Sequence, residues 1–226
     1  MTKYNYNHDT FNKENDISFY LLGAYMTDGC IQVNGKSSWI ITLSSKDEDW
    51  LQLIREHICS EMKMCQGNQV KLLTITNKKI GEWFINWGCV PRKSTIVQLP
   101  QIPIKYMPDF LRGCWDGDGC ISSYKNKNGK IIYSSYLCSA SQIFLKEIAL
   151  YLKEQKINCS ICEINKKPCQ INGRNIIPQN SHYRLCLGGK ATHQLVELLY
   201  YPKHNLSMPR KLKKSNEVII HYQNLA

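Results

Sequence analysis

Two aspartates, Asp28 and Asp118, occupy the same place in an internal repeat. The first copy, Leu21–Gly29, reads LLGAYMTDG, and the second copy, Leu111–Gly119, reads LRGCWDGDG. Both copies begin with Leu, carry Gly at the third place and end in Asp-Gly, and Cys-Ile follows each of them. A repeated carboxylate can supply a matched pair of metal ligands, and a repeat of this kind indicates two related structural units.

The local structure of the repeated stretch has two interpretations. An apolar run that ends in Asp-Gly is typical of a hairpin turn. A helix is favoured by small residues at Gly23 and Thr27 and, in the second copy, at Gly113 and Gly117, because residues four apart share one helical face. Glycine costs about 1 kcal/mol inside a helix, so we expect these positions to let two helix backbones approach closely. The last Gly of each copy is expected to be left-handed, just past the helix end.

Two helices packed through these small residues would place Asp28 and Asp118 side by side. A carboxylate at a helix C-terminus faces the negative end of the helix dipole. Two adjacent carboxylates also repel each other unless a cation lies between them or one takes up a proton. The repeat therefore predicts a metal site that contains both aspartates.

A second repeated signal is the tripeptide Pro-Arg-Lys, which ends at Lys93 in the first half and at Lys211 in the second. Alone, such a tripeptide is usually a solvated loop, but its matched positions make both lysines catalytic candidates. Their charge would offset charge that develops on a phosphate or polarise a nucleophilic water. Asp116 is left out of the predicted site, because the first copy has Met26 at that place and two equivalent sites cannot both require it.

The charge balance of the chain favours a polyanionic partner. Its 226 residues include 29 Lys and Arg against 18 Asp and Glu, a formal net charge of +11 with a pI near 9.1. Nucleic acid is the first candidate partner and an anionic membrane surface the second. No apolar run approaches the length of a membrane span, and the first 16 residues lack the apolar segment of a signal peptide. We expect a soluble protein that needs no membrane.

The eleven cysteines show no regular spacing. Cys159, Cys162, Cys169 and His182 raise the alternative of a zinc site, but no second cysteine pair lies at finger spacing. We instead expect reduced cysteines that act as small apolar residues, which implies a reducing intracellular compartment such as a bacterial or phage cytoplasm or an organelle matrix.

The periodicity of each half predicts the element order α-β-β-α-β-β-α, an α+β fold class with antiparallel strands. The predicted strands are Cys30–Asn34, Ser38–Ser44, Glu61–Gln66, Gln69–Thr76, Cys120–Lys125, Ile131–Cys138, Ser160–Lys166 and His182–Leu187. Capping boxes are predicted at Ser45 with Glu48 and at Ser139 with Gln142. A polar insertion, Pro168–Ser181, interrupts the second half only.

These elements predict four segments. Residues 1–16 are expected to be a flexible tail, and residues 17–99 the first αββαββα unit. Residues 100–108, with three prolines, are expected to form a stiff extended linker. Residues 109–226 then form the second unit, which is related to the first by a pseudo-two-fold axis.

One face of each predicted sheet would pack on helices, leaving the other face open. Two open faces in one row would form a polar, basic surface suited to the DNA major groove, where base edges are readable; for any single residue, a solvated sheet surface is the simpler interpretation. The predicted DNA-binding residues are Gln32, Asn34, Lys36, Thr42, Gln69, Lys71, Ser122, Tyr124, Lys125, Lys127, Lys130, Ser134, Tyr136, His182 and Arg184.

From Ile17 onward, the repeated motifs, the strand order and the linker resemble those of the LAGLIDADG homing endonucleases in their single-chain, two-motif form. The resemblance implies that Asp28 and Asp118 are catalytic metal ligands and that the backbone carbonyls of Thr27 and Gly117 join them. It also implies Mg²⁺ or Mn²⁺ without an organic cofactor, and two units that meet at the paired motif helices. Cys114 and Trp115 depart from the usual motif but leave both acids intact.

The function implied by the resemblance is site-specific cleavage of double-stranded DNA by a monomer. The target would be long and pseudo-palindromic, and one phosphodiester per strand would be hydrolysed across the minor groove to leave short 3′ overhangs. Such cleavage promotes mobility of a host intron or element. The alternative is an RNA maturase that binds its own intron RNA, or a cleavage-inactive nucleic-acid-binding relative; loss of one acid would indicate it, and both acids are present.

Overall fold

The computed structural model describes residues 4–35, 38–164, 169–171, 174–176 and 181–225, and only the backbone is described for Asn34, Ser38 and the segments 169–171 and 174–176. The first unit contains α1 (Asp9–Asn12), α2 (Asp16–Thr27), β1 (Gly29–Asn34), β2 (Ser38–Ser45), α3 (Glu48–Ile58), β3 (Cys65–Gln66), β4 (Lys71–Ile75) and α4 (Lys78–Asn86). Two 3-10 turns, Lys93–Thr95 and Ile104–Tyr106, follow it. The predicted element order of this half is confirmed.

The second unit repeats that order and then extends it. It contains α5 (Met107–Asp118), β5 (Gly119–Lys125), β6 (Ile131–Ser139), α6 (Gln142–Glu154), β7 (Ser160–Ile164), β8 (Cys169–Ile171), β9 (Arg174–Ile176), β10 (His182–Gly188), α7 (Lys190–Leu199) and α8 (Pro209–Gln223). The short β8–β9 hairpin lies in the polar insertion of this half. Helix α8 has no counterpart in the described part of the first unit, and it was not predicted.

Each unit is built on a four-stranded antiparallel sheet, with order β1-β2-β4-β3 in the first and β5-β6-β10-β7 in the second. The registers match, since Gly29 pairs with Leu43 and Gly119 pairs with Leu137. Alternate residues of the central strands are buried, which places one face of each sheet against helices. The predicted α+β class with two related units is confirmed.

Helix α2 is buried around almost its whole circumference, since every residue from Ser18 to Met26 is buried. It packs against both its own unit and α5, so a one-sided apolar stripe would not suffice. A reciprocal capping box opens it, because Asn15 Oδ1 accepts from the Ser18 N–H at 2.8 Å and Ser18 Oγ accepts from the Asn15 N–H at 3.0 Å. Among the described residues, none of the helices is long and apolar enough to cross a membrane.

Three local predictions are wrong. The N-cap of α3 is Asp47, whose side chain makes no capping bond, and not the predicted Ser45. The capping hydroxyl of α6 belongs to Ser141 and not to the predicted Ser139. Each helix therefore starts two residues later than the Ser-x-x-Glu/Gln pattern indicates. The last Gly of each motif is not left-handed: Gly119 has φ −85° and ψ 163°. A Cβ there would lie 2.5 Å from the carbonyl oxygen of Trp115. Close contact, and not a left-handed turn, therefore requires this glycine.

The described part of the N-terminal segment differs from the flexible tail expected over residues 1–16. Tyr6 and Phe11 are buried, and Phe11 packs edge-on against Trp83 with ring centroids 5.4 Å apart. The linker expected over residues 100–108 is also partly helical, because Ile104–Tyr106 forms a 3-10 turn and α5 begins at Met107. Pro108 fits in the first turn of α5 because the N–H groups of a first turn have no partner within the helix, so the missing N–H costs no hydrogen bond.

Candidate active site

The two motif helices, α2 and α5, pack directly against each other through their small residues. A Cβ on Gly23 would overlap the carbonyl oxygen of Phe110, and one on Gly113 would overlap the carbonyl oxygen of Tyr20. A Cβ on Gly117 would overlap the side chain of Thr27. The four predicted interface residues therefore lie where the two backbones touch.

This contact brings the ends of the helices together and places Asp28 and Asp118 next to each other. The two carboxyl groups lie near enough that each affects the pKa of the other. Asp28 is half-buried, whereas the side chain of Asp118 is exposed. The two acids thus come from different units and meet at one centre.

The electrostatic environment favours a neutral or cation-bound state of this acid pair. Burial, and then the charge of Asp118, raise the pKa of Asp28 to about 6, while Lys211 and Lys93 oppose the rise. Although Asp118 is open to solvent on one side, the surrounding protein raises its pKa as well, again against Lys211 and Lys93. A bound cation would relieve the repulsion between the two carboxylates.

Lys93 and Lys211 are both buried, with 6% and 5% of their surface exposed, so neither lies in a solvated loop. The Lys211 ammonium donates to the carbonyl oxygens of Trp115 and Asp116 at 2.6 Å each and of Gly117 at 3.0 Å. The Lys93 ammonium donates to the carbonyl oxygen of Gly29. Lys211 thus neutralises the negative end of α5, and Lys93 holds its charge at the first residue of β1, just after α2 ends. Burial lowers the pKa of Lys211.

The donor atoms at this centre fit a hard divalent cation. Two carboxylates lie beside backbone carbonyls at the helix ends, and oxygen-only sets of this kind suit Mg²⁺ or Mn²⁺. Within the described ranges, His, Cys, Asp and Glu side chains form no group of three or more that could hold a metal. Backbone or water ligands would therefore have to complete the coordination, as expected for Mg²⁺.

Two cavities open beside the acids. One of about 220 Å³ is lined by Asp118 and Thr27 together with Ser94 and His182. Another of about 420 Å³ lies beside Gly117 and is lined by four basic residues of α8: Arg210, Lys211, Lys213 and Lys214. The candidate centre is thus open to a ligand larger than an ion.

Most of the predicted DNA-binding residues that the structure describes share the open faces of the two sheets. Ser122 pairs with Ser134 across β5 and β6, with their hydroxyls 3.0 Å apart. The Arg184 guanidinium lies 4.2 Å from the ring centroid of Tyr136 on the same face. The remaining residues of this group on strands are Gln32, Thr42, Tyr124 and His182, and Lys127 and Lys130 are exposed in the β5–β6 turn.

Three of the predicted DNA-binding residues lie elsewhere. Lys71 is two and four residues before the buried Leu73 and Ile75 of β4, so it lies on the same, helix-covered face, where its ammonium is 3.5 Å from Glu48 of α3. Gln69 lies before β4 with a φ of 60°, in a turn and not in the strand. Lys125 is two residues after Ser123 and lies on the same face of β5, which contacts Lys214 of α8. Lys36 and the side chain of Asn34 are outside the described residues.

One family model matches residues 106–198, and its description is a LAGLIDADG-like domain. The match starts just before α5, whose last residues carry Asp118, and ends within α7. No curated protein sequence matches the chain.

Solved structures extend this likeness to both halves. I-LtrWI, a LAGLIDADG homing endonuclease bound to target DNA, is 12% identical with a TM-score of 0.60, and the match covers 93% of this chain and 90% of that one. I-DmoI in complex with DNA and Ca is 16% identical with a TM-score of 0.59, covering 89% and 97%. The meganuclease I-SmaMI, bound to uncleavable DNA, is 11% identical with a TM-score of 0.59, covering 91% and 90%. At these identities, the likeness shows the fold.

The motif helices also bring Asp116, which was not predicted as a site residue, into the centre of the molecule. Asp116 is fully buried and accepts hydrogen bonds from Tyr20, Tyr200 and the N–H of Met208. The sequence feature that could have indicated Asp116 is the same one that led to its exclusion from the predicted site: the first repeat has Met26 at the equivalent place. A residue that differs between two otherwise matched motifs is a candidate for an asymmetric role.

Proposed function

We propose that this protein is a site-specific endonuclease for double-stranded DNA that hydrolyses one phosphodiester in each strand. The observation that carries the proposal is the pair formed by Asp28 and Asp118, which two close-packed helices hold together beside two buried lysines. The LAGLIDADG-like domain and the shared fold of DNA-bound homing endonucleases support it.

Asp28 and Asp118, with the carbonyls of Thr27 and Gly117, would hold Mg²⁺ or Mn²⁺ at the point where the two units meet. The bound ion would supply an activated water and stabilisation of the leaving 3′ oxygen. Lys93 and Lys211 keep positive charge beside the reacting phosphate without leaving the helix ends that hold them. Because each acid comes from one unit, both are needed for a pair of strand cuts.

The open sheet faces would bind the DNA. The net charge of +11 supports attraction to the phosphate backbone, and the polar side chains along the strands can contact base edges. The pseudo-two-fold arrangement of the units favours a long, pseudo-palindromic target cut across the minor groove, with short 3′ overhangs. Cleavage by a monomer at such a site would promote mobility of a host intron or element.

A plasmid assay tests this function. Supercoiled DNA that carries the uninterrupted sequence flanking the gene is incubated with the protein and Mg²⁺, and linear product is expected. Protein with Asp28→Asn and Asp118→Asn together should leave the plasmid intact, and cleavage by that variant would refute the assignment of the acids.

Binding is tested separately through its salt dependence. If phosphate contacts dominate, log K should fall with log salt with a slope of about −0.9 per neutralised phosphate, and a flat response would argue against the open faces as the DNA-binding surface. Binding to the RNA of a host intron, without DNA cleavage in Mg²⁺, would favour a maturase instead.

A further inference from the structure

Asp116 accepts more hydrogen bonds than any other buried carboxylate among the described residues. The Tyr200 hydroxyl donates to Oδ1 at 2.7 Å, and Oδ2 accepts from the Tyr20 hydroxyl at 2.6 Å and from the Met208 N–H at 2.7 Å. Trp50 Nε1 in turn donates to the Tyr20 hydroxyl at 2.7 Å. These partners lie in both units, so a single carboxylate joins them.

The bond to Met208 connects Asp116 with one of the candidate lysines. Met208 is the N-cap of α8, and Lys211 lies one turn further along that helix. From there the Lys211 ammonium reaches back to the carbonyl oxygens of residues 115–117, which include Asp116 itself. The side chain of Asp116 thus anchors the start of α8, and α8 returns an ammonium to the backbone of the same residue.

The described residues of the first unit form no equivalent arrangement. Its repeat carries the apolar Met26 in place of Asp116. Lys93 comes from the 3-10 turn Lys93–Thr95 rather than from a helix, and its ammonium bonds to the carbonyl oxygen of Gly29. The two lysines are equally buried but held in place by different means.

We propose that Asp116 is a positioning residue that fixes Lys211 beside the acids, and that the position of Lys93 does not depend on it. The placement of Lys211 by Asp116 depends only on contacts within this chain. Its catalytic consequence rests on the proposed nuclease function: the variant Asp116→Asn should slow cleavage because Lys211 is no longer held at its carbonyls.

Lysine acetylation in the absence of DNA and metal tests the placement of Lys211. The protein is labelled with a trace of acetic anhydride, and mass spectrometry gives the rate at Lys211, at Lys93 and at the exposed Lys213. In the native protein the first two should react slowly. In Asp116→Asn the rate at Lys211 should rise about tenfold, as the loss of a charge-assisted hydrogen bond predicts, while Lys93 stays protected.

A substitution at Met208 tests the same hydrogen bond from its other end. Met208→Pro removes the donated N–H, and the φ of −71° at Met208 suits proline. This variant should also expose Lys211 alone, and it decides the question if Asp116→Asn does not fold. Unchanged protection of Lys211, or equal loss at Lys93, would overturn the proposal, because the second pattern shows general loosening.

Cleavage kinetics test the consequence. With the DNA of the plasmid assay, Asp116→Asn should lower the single-turnover rate about tenfold while the affinity measured in Ca²⁺ stays unchanged. In a Lys211→Met background, the same substitution should have no further effect, because interacting residues are not additive. Additive effects would overturn the link to Lys211. An inactive native protein would instead refute the proposed function and leave the acetylation result standing.

Discussion

The two motif helices have matched inner faces but opposite chemistry on their outer faces. On α2, Phe19 packs edge-on against Trp87 with ring centroids 5.1 Å apart. At the repeat-equivalent place on α5, Asp109 instead bonds to Arg112 at 2.7 Å. The outer surface of the first helix is thus aromatic, and that of the second is a buried polar network.

The polar network is fully satisfied, which a buried charge requires. Arg112 is 1% exposed, and it donates to the carbonyl oxygens of Leu206 and Leu199 at 2.8 Å each, besides its bond to Asp109. The first of these carbonyls lies in the connection between α7 and α8, and the second belongs to the last residue of α7. The inner faces of α2 and α5 are thus constrained by the close contact of the two backbones. The outer face of each helix only has to fit the side chains and carbonyls of its own unit that pack against it.

The largest effect is expected where the halves should be equivalent. Asp28→Asn and Asp118→Asn, tested separately, should each lower the rate of DNA cleavage in Mg²⁺ by roughly three orders of magnitude, because each would remove a ligand of the proposed metal site. Asp9→Asn, at an exposed surface ion pair, is the matched control and should keep full activity. Full activity in only one of the two variants would show that the acids are not equivalent.

The glycines test the shared inner faces. Gly23→Ala and Gly113→Ala should each lower the free energy of unfolding by about 3 kcal/mol or more, since the new Cβ meets backbone that cannot move aside. In Gly188→Ala the new Cβ meets nothing within 4 Å, and the change should stay within about 0.5 kcal/mol. Urea denaturation measures all three. Tolerance of alanine at one motif glycine alone would show unequal packing.

The pH dependence of stability should distinguish the half-buried Asp28 from the exposed Asp118. Folding raises the pKa of Asp28 from 3.8 to about 6, so the native state holds this proton more tightly than the unfolded chain. The resulting stability is fully present below about pH 3.8 and is lost as the pH rises through about 6.

Urea titrations without divalent cations, between pH 4 and 7, measure this loss. Relative to Asp28→Asn, the native protein should lose up to about 3 kcal/mol over this range, and Asp118→Asn should remove a smaller part of the slope. A difference of opposite sign would mean that Lys211 and Lys93 outweigh burial and hold the acids as anions.

Two tyrosines of α2 give the smallest and sharpest test of the polar network. Tyr20 and Tyr25 are both fully buried. Tyr20 joins Trp50 and Asp116, whereas the Tyr25 hydroxyl has no hydrogen-bond partner among the described residues. Tyr20→Phe should cost about 1–3 kcal/mol, and Tyr25→Phe should be neutral or stabilising by about 1 kcal/mol. Thermal unfolding of the two variants checks this, and equal losses would contradict it.

Much of the candidate site could be predicted because its determinants are local and repeated. The spacing of Gly23, Thr27, Gly113 and Gly117 indicates a close helix contact whatever the rest of the chain does. The order of helices and strands along each half also followed from local periodicity. The face of Lys71 was predicted wrongly because one residue of phase turns a side chain to the other side of a sheet, and the buried Leu73 and Ile75 fix that phase.

The sequence by itself determined the two units, the paired helices and the two acids that those helices bring together. Only the tertiary structure decided what surrounds them. The partners of Asp116, which are Tyr20, Tyr200 and Met208, lie more than 80 residues away along the chain. The role of helix α8 likewise depends on a tertiary contact, because it places the Lys211 ammonium at the end of α5. Contacts over such separations leave no period or spacing in a sequence, because they depend on how complete elements pack.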